Sequence, residues 1–283
     1  MNITVVTVCL NAKNIIRCTV ESVLQQKDIS FEYLIVDGMS SDGTVEFIES
    51  FRDAFNSKSI ELNIISGKDK GIYDAMNKAG RFAKGDWILY LNAGDYLYTD
   101  DAISRLSKTQ VTEDTAVIYG DVLYTYYSKF KPFYSRPVDQ ITSNYIFCHQ
   151  SVLTRRDILV NEGFDTEYPI CADYKLYALC YKNGYRMIHV DVPVSVYDNN
   201  GYSSRSFYLA SHIERADIQF KLGFITEAEK KKHISREKFK RTIPGFFERI
   251  LPYGAVKALI GPYLKSKGWL TDYVKPEDFY RYK

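Results

Sequence analysis

Three carboxylates stand where they could do chemistry, each next to an apolar run. Asp37 directly follows the apolar residues 33–36, Asp95 lies just beyond the apolar residues 87–91, and Asp173 precedes an apolar helical pattern. Ligands of open α/β sheets bind outside the carboxyl ends of strands, where Asp37 and Asp95 are expected. There a carboxylate can accept hydrogen bonds from a nucleoside or bind a divalent cation, and on a helix it can remove a proton from a hydroxyl group.

The segment 67–95 adds an anion site to these acids. Asp69, Lys70 and Gly71 predict a tight polar turn before a helix over 72–82 and a strand over 87–91. Glycine allows a ligand to approach the backbone closely, and the following helix N-terminus offers amide hydrogens and the positive end of a dipole. This order of elements predicts that anionic groups bind beside Asp95.

The elements that must position these residues alternate through the first 91 residues, which predicts a parallel sheet covered by helices. Strands are predicted at 3–9, 31–36, 61–65 and 87–91, with helices at 15–26, 44–55 and 72–82. The second half predicts two strands around a Gly120-Asp121 turn within 116–127, strands at 151–153, 187–190 and 194–197, and helices at 155–161 and 173–182. From residue 206 onward helix dominates, with helical patterns at 225–241 and 244–264.

Several stretches resemble glycosyltransferase family 2, the inverting, nucleotide-sugar-dependent enzymes with a GT-A fold. They are ITVVTVCLNAKN, YLIVDGMSSDGT, the segment 67–95, FCHQSVLTRR and ICADYKLYALC, in the order of the family. The resemblance runs from about residue 2 to about residue 205. It implies a mixed, mainly parallel α/β sheet flanked by helices, with a nucleotide-sugar half at 1–95, an acceptor half at 96–205 and a helical extension at 206–283.

The resemblance also implies a role for individual residues. The catalytic base is Asp173 and the metal ligand is Asp95. The nucleotide is bound by Thr7, Asn11, Asp37, Lys68, Asp69 and Gly71. The donor sugar is bound by Tyr73, Asp74 and Asn77, and the acceptor side is formed by His149, Gln150 and Arg155.

The chain departs from the family pattern around the metal. The aspartate cluster reads Asn92-Ala93-Gly94-Asp95, and Asp198, Asn199 and Asn200 stand where many GT-A enzymes have a late histidine ligand. Mg²⁺ or Mn²⁺ prefers several oxygen ligands, many of which diphosphate and water can supply. We therefore expect a divalent metal that binds poorly without nucleotide.

Composition limits the alternatives. The 283 residues are 46% hydrophobic and 25% charged, which is ordinary for a globular protein. No apolar run is long enough to cross a bilayer and no signal peptide is recognisable, so we expect the protein in the cytoplasm. Five scattered cysteines disfavour disulfide or zinc frameworks, although Cys171, close to Asp173, leaves a nucleophilic cysteine open.

The C-terminal part is basic. Residues 221–283 have a net charge of +8 on a chain of net charge +2, so the remaining body is acidic. Lys and Arg beside Phe, Leu and Ile on helices suit an anionic membrane surface, where a polyprenyl-diphosphate-linked acceptor would lie. Packing on the catalytic domain or a dimer contact is the alternative. Nucleic acid is disfavoured, because the body is acidic and no recognition motif accompanies the charge.

The resemblance implies an inverting transferase, and the basic C-terminal part places it at the inner face of the cell membrane as an expectation. It would move a hexose or N-acetylhexosamine from a UDP-sugar to a hydroxyl of a glycan in surface polysaccharide biosynthesis, such as O-antigen or capsule. The alternative is a non-catalytic nucleotide-sugar or glycan-binding module. A Rossmann-type oxidoreductase is disfavoured, because the first strand is followed by no G-x-G-x-x-G turn.

Overall fold

The computed structural model describes residues 1–126, 129–198, 208–241, 266–270 and 273–282, and it confirms the predicted α/β class. The strands are β1 Ile3–Cys9, β2 Glu32–Asp37, β3 Glu61–Ser66, β4 Trp87–Tyr90, β5 Tyr96–Leu97, β6 Thr115–Tyr126, β7 Lys129–Phe133, β8 Val152–Arg155 and β9 Arg186–Asp198. The helices are α1 Arg17–Leu24, α2 Thr44–Glu49, α3 Arg52–Ser57, α4 Ile72–Phe82, α5 Ala102–Ser107, α6 Arg156–Asn161, α7 Ala172–Lys182, α8 Tyr208–Lys221 and α9 Glu227–Arg241.

The described strands form one mixed sheet in the order β3-β2-β1-β4-β8-β6-β9-β5, with β7 paired to β6. Strands β1 to β4 are mutually parallel, as the alternating pattern predicted. Every residue of β1, β2 and β4 is buried, because helices cover both faces of the sheet. The carboxyl ends of these strands consequently meet at one edge.

The described residues after Asp95 add antiparallel pairing and correct two predictions. The two strands predicted around a Gly120-Asp121 turn are the single strand β6, which runs through Gly120 and pairs with β9 on both sides of an irregularity in register. A side chain on Gly120 would stand 2.4 Å from the Val192 carbonyl oxygen, so the glycine serves this close approach. The strands predicted at 187–190 and 194–197 are likewise the single strand β9.

The predicted helix at 44–55 is also wrong in one respect, because it is broken into α2 and α3. The Phe51 amide donates to Ile48, only three residues back, and the Ser50 hydroxyl donates to the Phe47 carbonyl. A serine that bonds its own backbone competes with helical hydrogen bonding, which is a local reason for the break.

Two apolar cores lie on opposite faces of the sheet. One contains Met76 of α4 and Leu176 of α7, and the other contains Val20 of α1 and Ile103 of α5. The helix that carries Asp173 and the helix that follows Gly71 therefore share one face of the sheet. This arrangement lets both helices present their N-terminal residues to the same edge.

Parts of the C-terminal region pack on the rest of the protein. Helices α8 and α9 form an antiparallel pair beside α7, and the Phe279 ring is completely buried in a small cluster with Tyr98 and Val196. The helix predicted at 244–264 lies outside the described residues, and the domain boundary near 205 stays a prediction. Among the described residues no helix has the length and apolar character to cross a membrane.

Candidate active site

The loop after β4 holds Asp95 in a fixed position against α1. The Asp95 amide donates to the Asn92 carbonyl at 3.0 Å, and the Thr19 hydroxyl accepts from the Gly94 amide at 3.0 Å while donating to the Asp95 carbonyl at 2.6 Å. Thr19 is completely buried and Asp95 nearly so. The carboxylate is thus anchored at the carboxyl end of β4, as the sequence predicted.

Gln150 connects this carboxylate to the acceptor half. Its side-chain amide donates to Asp95 Oδ2 at 2.9 Å, and its carbonyl oxygen accepts from the Cys148 thiol at 2.8 Å. Burial, together with the charges of Asp95 and Asp173, raises the pKa of Cys148, so the sulfur keeps its proton and remains a donor. That donor orients the Gln150 amide with its NH₂ group towards the acid.

His149, the neighbouring residue, contacts Asp173 instead. Its Nδ1 lies 3.2 Å from Asp173 Oδ2 and its Nε2 lies 3.0 Å from Asn92 Nδ2. Because the Asn92 amide nitrogen can only donate, Nε2 must accept, and the ring proton then sits on Nδ1 and is donated to the carboxylate. The imidazole is held between the β4 loop and the Asp173 carboxylate.

The Tyr73 hydroxyl is the second side-chain donor close to Asp173. It lies 3.1 Å from Asp173 Oδ1 and 2.8 Å from the Ile170 carbonyl oxygen. Burial, with the Asp173 charge next in size, raises the pKa of Tyr73 well above its ordinary value, so the hydroxyl stays protonated. The Tyr174 amide also donates to Asp173 Oδ1, at 2.7 Å. These contacts hold the Asp173 side chain in a defined orientation.

Asp173 nevertheless remains accessible. Its side chain retains 16% of its exposure, and together with His149 it opens into a small pocket. Aromatic and aliphatic side chains line the rest of this pocket, namely Ile141, Tyr145, Ile146, Phe147, Tyr174 and Tyr177. A carboxylate that lines an aromatic pocket can accept a proton from a hydroxyl group that enters there.

The predicted nucleoside residues lie two strands away on the same edge. Asp37 is completely buried and accepts hydrogen bonds from the Ser40 amide at 3.0 Å and the Ser66 hydroxyl at 2.6 Å. Asn11 is exposed, with φ at 50°, and accepts from the Ser41 amide at 2.9 Å. Asp37 thus ties β2 to β3, whereas Asn11 leaves most of its side chain to solvent.

Thr7 does not face this edge with its hydroxyl group. Its Oγ1 donates to the Leu91 carbonyl at 2.7 Å and lies 3.0 Å from the Tyr33 hydroxyl, and the residue is completely buried. The structure therefore leaves no open donor or acceptor on the Thr7 side chain for a nucleoside.

Asp69 reaches the edge from the loop after β3. Its carboxylate pairs closely with the ammonium of Lys78, which also contacts the Lys68 carbonyl. A methyl group on Gly38 would stand 3.4 Å from Asp69 Oδ2, so this acid lies against the loop that follows Asp37. The structure brings Asp37 and Asp69 to neighbouring loops, as the resemblance implies.

Helix α4 begins at this loop and carries the predicted donor-sugar residues. Gly71 has φ at 125°, a conformation that side chains disfavour, and Asp74 Oδ2 accepts from the Lys70 amide at 2.9 Å. Asn77 uses both ends of its amide on the backbone of Phe164, at 2.8 and 2.7 Å. Asn77 therefore braces the fold, while Asp74 stays at the helix start.

The structure corrects the predicted position of Arg155. The resemblance placed it on the acceptor side, but β8 runs antiparallel to β4 and pairs Arg155 with Trp87, at the amino end of that strand. Its guanidinium donates to Asp157 and to the carbonyls of Glu113 and Thr115. Arg155 thus lies at the sheet edge opposite Asp95.

Cys171 is not suited to act as a nucleophile. It is completely buried, and burial raises the pKa of its thiol to about 12. The sulfur contacts the Tyr145 hydroxyl at 2.8 Å and donates to the Ser211 carbonyl at 3.3 Å. The thiolate that attack requires is absent near neutral pH.

Asn92 is a site residue whose contact with His149 the sequence did not reveal. Its Oδ1 is buried and has no hydrogen-bond partner among the described residues, although its Nδ2 is bonded to His149. A buried polar atom without a partner is costly unless something else binds it. The sequence feature that could have indicated Asn92 is its position at the start of the motif Asn92-Ala93-Gly94-Asp95.

This unpartnered oxygen and the Asp95 carboxylate supply the donor type that Mg²⁺ and Mn²⁺ prefer. They fit a divalent ion that takes its other ligands from diphosphate and water. Within the described ranges, Asp95 belongs to no cluster of three acidic, imidazole or thiol groups. Such clusters lie elsewhere, at His212, His233 and Glu237, and at Asp121, His189 and Asp191.

Comparison with known proteins identifies a family. The model of the family described as Glycosyl transferase family 2 matches residues 4–159. The chain is 27% identical over 217 residues to a PGL/p-HBAD biosynthesis glycosyltransferase of Mycobacterium bovis, covering 76% of this chain and 83% of that protein. It is 30% identical over 175 residues to the chondroitin synthase of Escherichia coli, covering 59% of this chain and 24% of the synthase.

Two solved structures share the fold. S. aureus TarS 1–349 in complex with UDP-GlcNAc aligns with a TM-score of 0.62 and 16% identity, over 91% of this chain and 78% of that one. The mannosyltransferase PcManGT from Pyrobaculum calidifontis, in complex with GDP-Man and Mn²⁺, aligns with a TM-score of 0.60 and 18% identity, over 93% and 82%. At these identities the likeness concerns the fold.

Proposed function

Because the chain belongs to glycosyl transferase family 2, we propose that it transfers a hexose or N-acetylhexosamine from a UDP-sugar to a hydroxyl group of a glycan acceptor. The observation that carries the proposal is the joining of Asp173 and Asp95 through consecutive residues, His149 and Gln150. In this proposal Asp173 serves the acceptor and Asp95 serves the leaving group, on the two sides of one reaction centre.

The proposed step is an in-line displacement at the anomeric carbon. Asp173 accepts the proton of the acceptor hydroxyl while the oxygen of that hydroxyl forms the new bond to the anomeric carbon. The bond from that carbon to the UDP oxygen breaks, and UDP leaves with the electron pair. Configuration inverts, so an α-linked donor gives a β-linked product. The donors at Asp173 keep the carboxylate aimed at the hydroxyl until the proton moves.

We propose that the Asp95 carboxylate and the side-chain oxygen Oδ1 of Asn92 hold the divalent ion, Mg²⁺ or Mn²⁺. When bound, such an ion supplies positive charge that stabilises the diphosphate leaving group. Gln150 orients Asp95 from behind through its 2.9 Å hydrogen bond. The protein itself contributes amide hydrogens and Lys70 at the start of α4 to the same anionic group.

The nucleoside would lie over the loops that carry Asp37, Asn11 and Asp69. The exposed Asn11 amide and the Asp69 carboxylate can bind a base imide or ribose hydroxyls, while the buried Asp37 holds the loops in place through Ser40 and Ser66. Gly71 permits the diphosphate to approach the backbone. Asp74 at the helix start is our candidate contact to donor-sugar hydroxyls. TarS was solved with UDP-GlcNAc and PcManGT with GDP-Man, so the base specificity of this chain is what an assay must establish.

We propose a lipid-linked acceptor at the inner face of the cell membrane, in surface polysaccharide biosynthesis such as O-antigen or capsule. Helix α9 supports this, because Phe239 is 81% exposed on a helix whose sequence, EAEKKKHISREKFKR, is rich in Lys and Arg. Each Lys or Arg near an anionic leaflet contributes about 1 kcal/mol. The protein would therefore be cytoplasmic and peripheral.

Vesicle sedimentation tests the membrane contact. Phe239→Ser should bind less than the native protein to vesicles of phosphatidylglycerol and phosphatidylcholine. Vesicles of phosphatidylcholine alone should bind little of the native protein or of the variant. Phe82→Ser is the matched control, because Phe82 is 57% exposed at the end of α4, away from the basic helix. Equal binding of the two variants would contradict the proposal.

A nucleotide-release assay tests the transfer. The protein is incubated with UDP-sugars, GDP-mannose and a panel of glycan acceptors in the presence of Mn²⁺, and released UDP or GDP is measured. We expect turnover with a UDP-sugar, a loss of at least about a hundredfold in Asp173→Asn, and unchanged UDP affinity in that variant. UDP binding without turnover for any pair would favour the alternative of a non-catalytic nucleotide-sugar or glycan-binding module.

A further inference from the structure

Three potential metal ligands meet between α8 and α9, outside the candidate active site. His212 comes from α8, and His233 and Glu237 come from α9, where a spacing of four residues puts them on one face. One ligand atom from each lies within 4.8 Å of the other two. His212 Nδ1 and His233 Nε2 are 3.2 Å apart. The scattered-cysteine pattern gave no hint of this cluster.

We propose that these residues form a structural zinc site that fastens α9 to α8. Two imidazoles and one carboxylate are a donor set that zinc takes, at Zn–N distances near 2.0–2.1 Å. Two nitrogens on one tetrahedral ion would then be about 3.4 Å apart, and the observed separation is close to that value. Mg²⁺ and Ca²⁺ prefer oxygen ligands, so this site selects against the ions expected at Asp95.

Hydrogen bonds already orient the Glu237 carboxylate of this cluster. Glu237 is only 1% exposed, although it lies on a strongly charged helix. Its Oε2 accepts from the Tyr208 hydroxyl at 2.9 Å, and its Oε1 lies 3.3 Å from Arg236 Nε. Such outer hydrogen bonds orient metal ligands.

Arg215 competes with the ion for His212. Its Nη2 lies 3.0 Å from His212 Nδ1, the nitrogen that faces His233. Zinc must displace this guanidinium, which lies over the Tyr145 ring at 5.2 Å and can retain that contact. The arrangement therefore predicts that removal of the Arg215 side chain tightens zinc binding, which an ordinary hydrogen-bonded histidine pair would not explain.

The site would act on the protein through α8. Glu214, two residues after His212, accepts from the Ile170 and Cys171 amides at 3.0 and 2.9 Å, just before the start of α7. Fastening α9 to α8 would thus support the segment that leads into Asp173. Zinc here stabilises the helix pair and takes no part in sugar transfer.

The test uses metal-free full-length protein without nucleotide, so that the Asp95 site stays silent. Zn²⁺ is titrated calorimetrically, and Co²⁺ is added to look for the visible absorption bands of tetrahedral coordination. We expect one ion per chain, at least about tenfold weaker binding in His233→Ala and in Glu237→Gln, and tighter binding in Arg215→Gln. His189→Ala, from the other three-residue cluster, is the control and should bind as the native protein does.

Circular dichroism establishes that each variant is folded, and Glu237→Gln, which preserves side-chain shape, provides a second reading if His233→Ala is not. The proposal is overturned if the native protein binds no stoichiometric Zn²⁺, or if His189→Ala loses the ion while the α9 variants keep it. Neither outcome bears on turnover, so the proposed transfer activity stands or falls separately.

Discussion

Replacing Tyr73 with phenylalanine tests whether its hydroxyl orients Asp173, the proposed catalytic base. The change removes one oxygen atom, which lies 3.1 Å from Asp173 Oδ1 and 2.8 Å from the Ile170 carbonyl. A hydrogen bond to a charged group contributes about 1.5–3 kcal/mol. The lower end applies, because Asp173 Oδ1 keeps the Tyr174 amide at 2.7 Å and Oδ2 keeps His149. About 1.5 kcal/mol corresponds to roughly a tenfold fall in kcat.

Tyr90→Phe is the matched control for this change. Tyr90 is also buried, its ring also packs 5.5 Å from the Phe164 ring, and its hydroxyl donates to a backbone carbonyl, that of Met76, at 2.8 Å. Both variants should therefore lose about 1 kcal/mol of stability, or about 2–4 °C in Tm. Only Tyr73→Phe removes a contact to Asp173.

The assay is steady-state UDP release with donor and acceptor varied in turn. We expect kcat to fall in Tyr73→Phe while KM for the donor stays close to the native value. A rise in donor KM with kcat preserved would instead support the donor-sugar role that the family resemblance implies for Tyr73. Equal kcat in the Tyr73 and Tyr90 variants would refute the reasoning.

Three further perturbations follow from other contacts. Asp95→Asn should weaken Mn²⁺ binding in the presence of UDP by at least about tenfold, measured by metal titration of activity; unchanged metal dependence would remove Asp95 from the metal site. Although burial acts to raise it, hydrogen bonds from Lys230, Tyr168 and Lys221 lower the pKa of Asp217 to about 2. A carboxyl group with a lowered pKa stabilises the fold at pH values above its ordinary pKa of 3.8, and this stabilisation is lost as the pH falls towards 2. Asp217→Asn should therefore lower Tm at pH 7 but not near pH 2. Iodoacetamide at pH 8 should modify the exposed Cys18 and spare Cys171, whose pKa is about 12, as read by peptide mass spectrometry.

The nucleotide-binding half could be predicted well because its signals are local. A continuous apolar run such as residues 33–36 of β2 is typical of a strand that is buried on both faces. Helix α4 spans the residues 72–82 that its pattern predicts. The acceptor half was harder. Gly120-Asp121 has the composition of a turn, and only the distant Val192 carbonyl makes the glycine necessary inside a strand.

The site was predictable in its acids and less so in their partners. Asp95 and Asp173 each follow from a short motif, but the edge to which a side chain is brought depends on strand direction, which placed Arg155 away from the cleft. Likewise, the Tyr73 hydroxyl meets Asp173 only because two helices 100 residues apart share one face of the sheet. Pairings of this kind are set by tertiary packing.

The turn at His149–Ser151 has a consequence for how this enzyme class could be altered. Since His149 contacts the proposed base Asp173 and Gln150 contacts the proposed metal ligand Asp95, a single peptide unit sets the distance between these two acids. The aromatic wall beside it can vary without stretching that span. Acceptor choice could therefore be retuned by mutating Tyr145 or Phe147, whereas inserting even one residue between His149 and Gln150 should disable transfer to every acceptor.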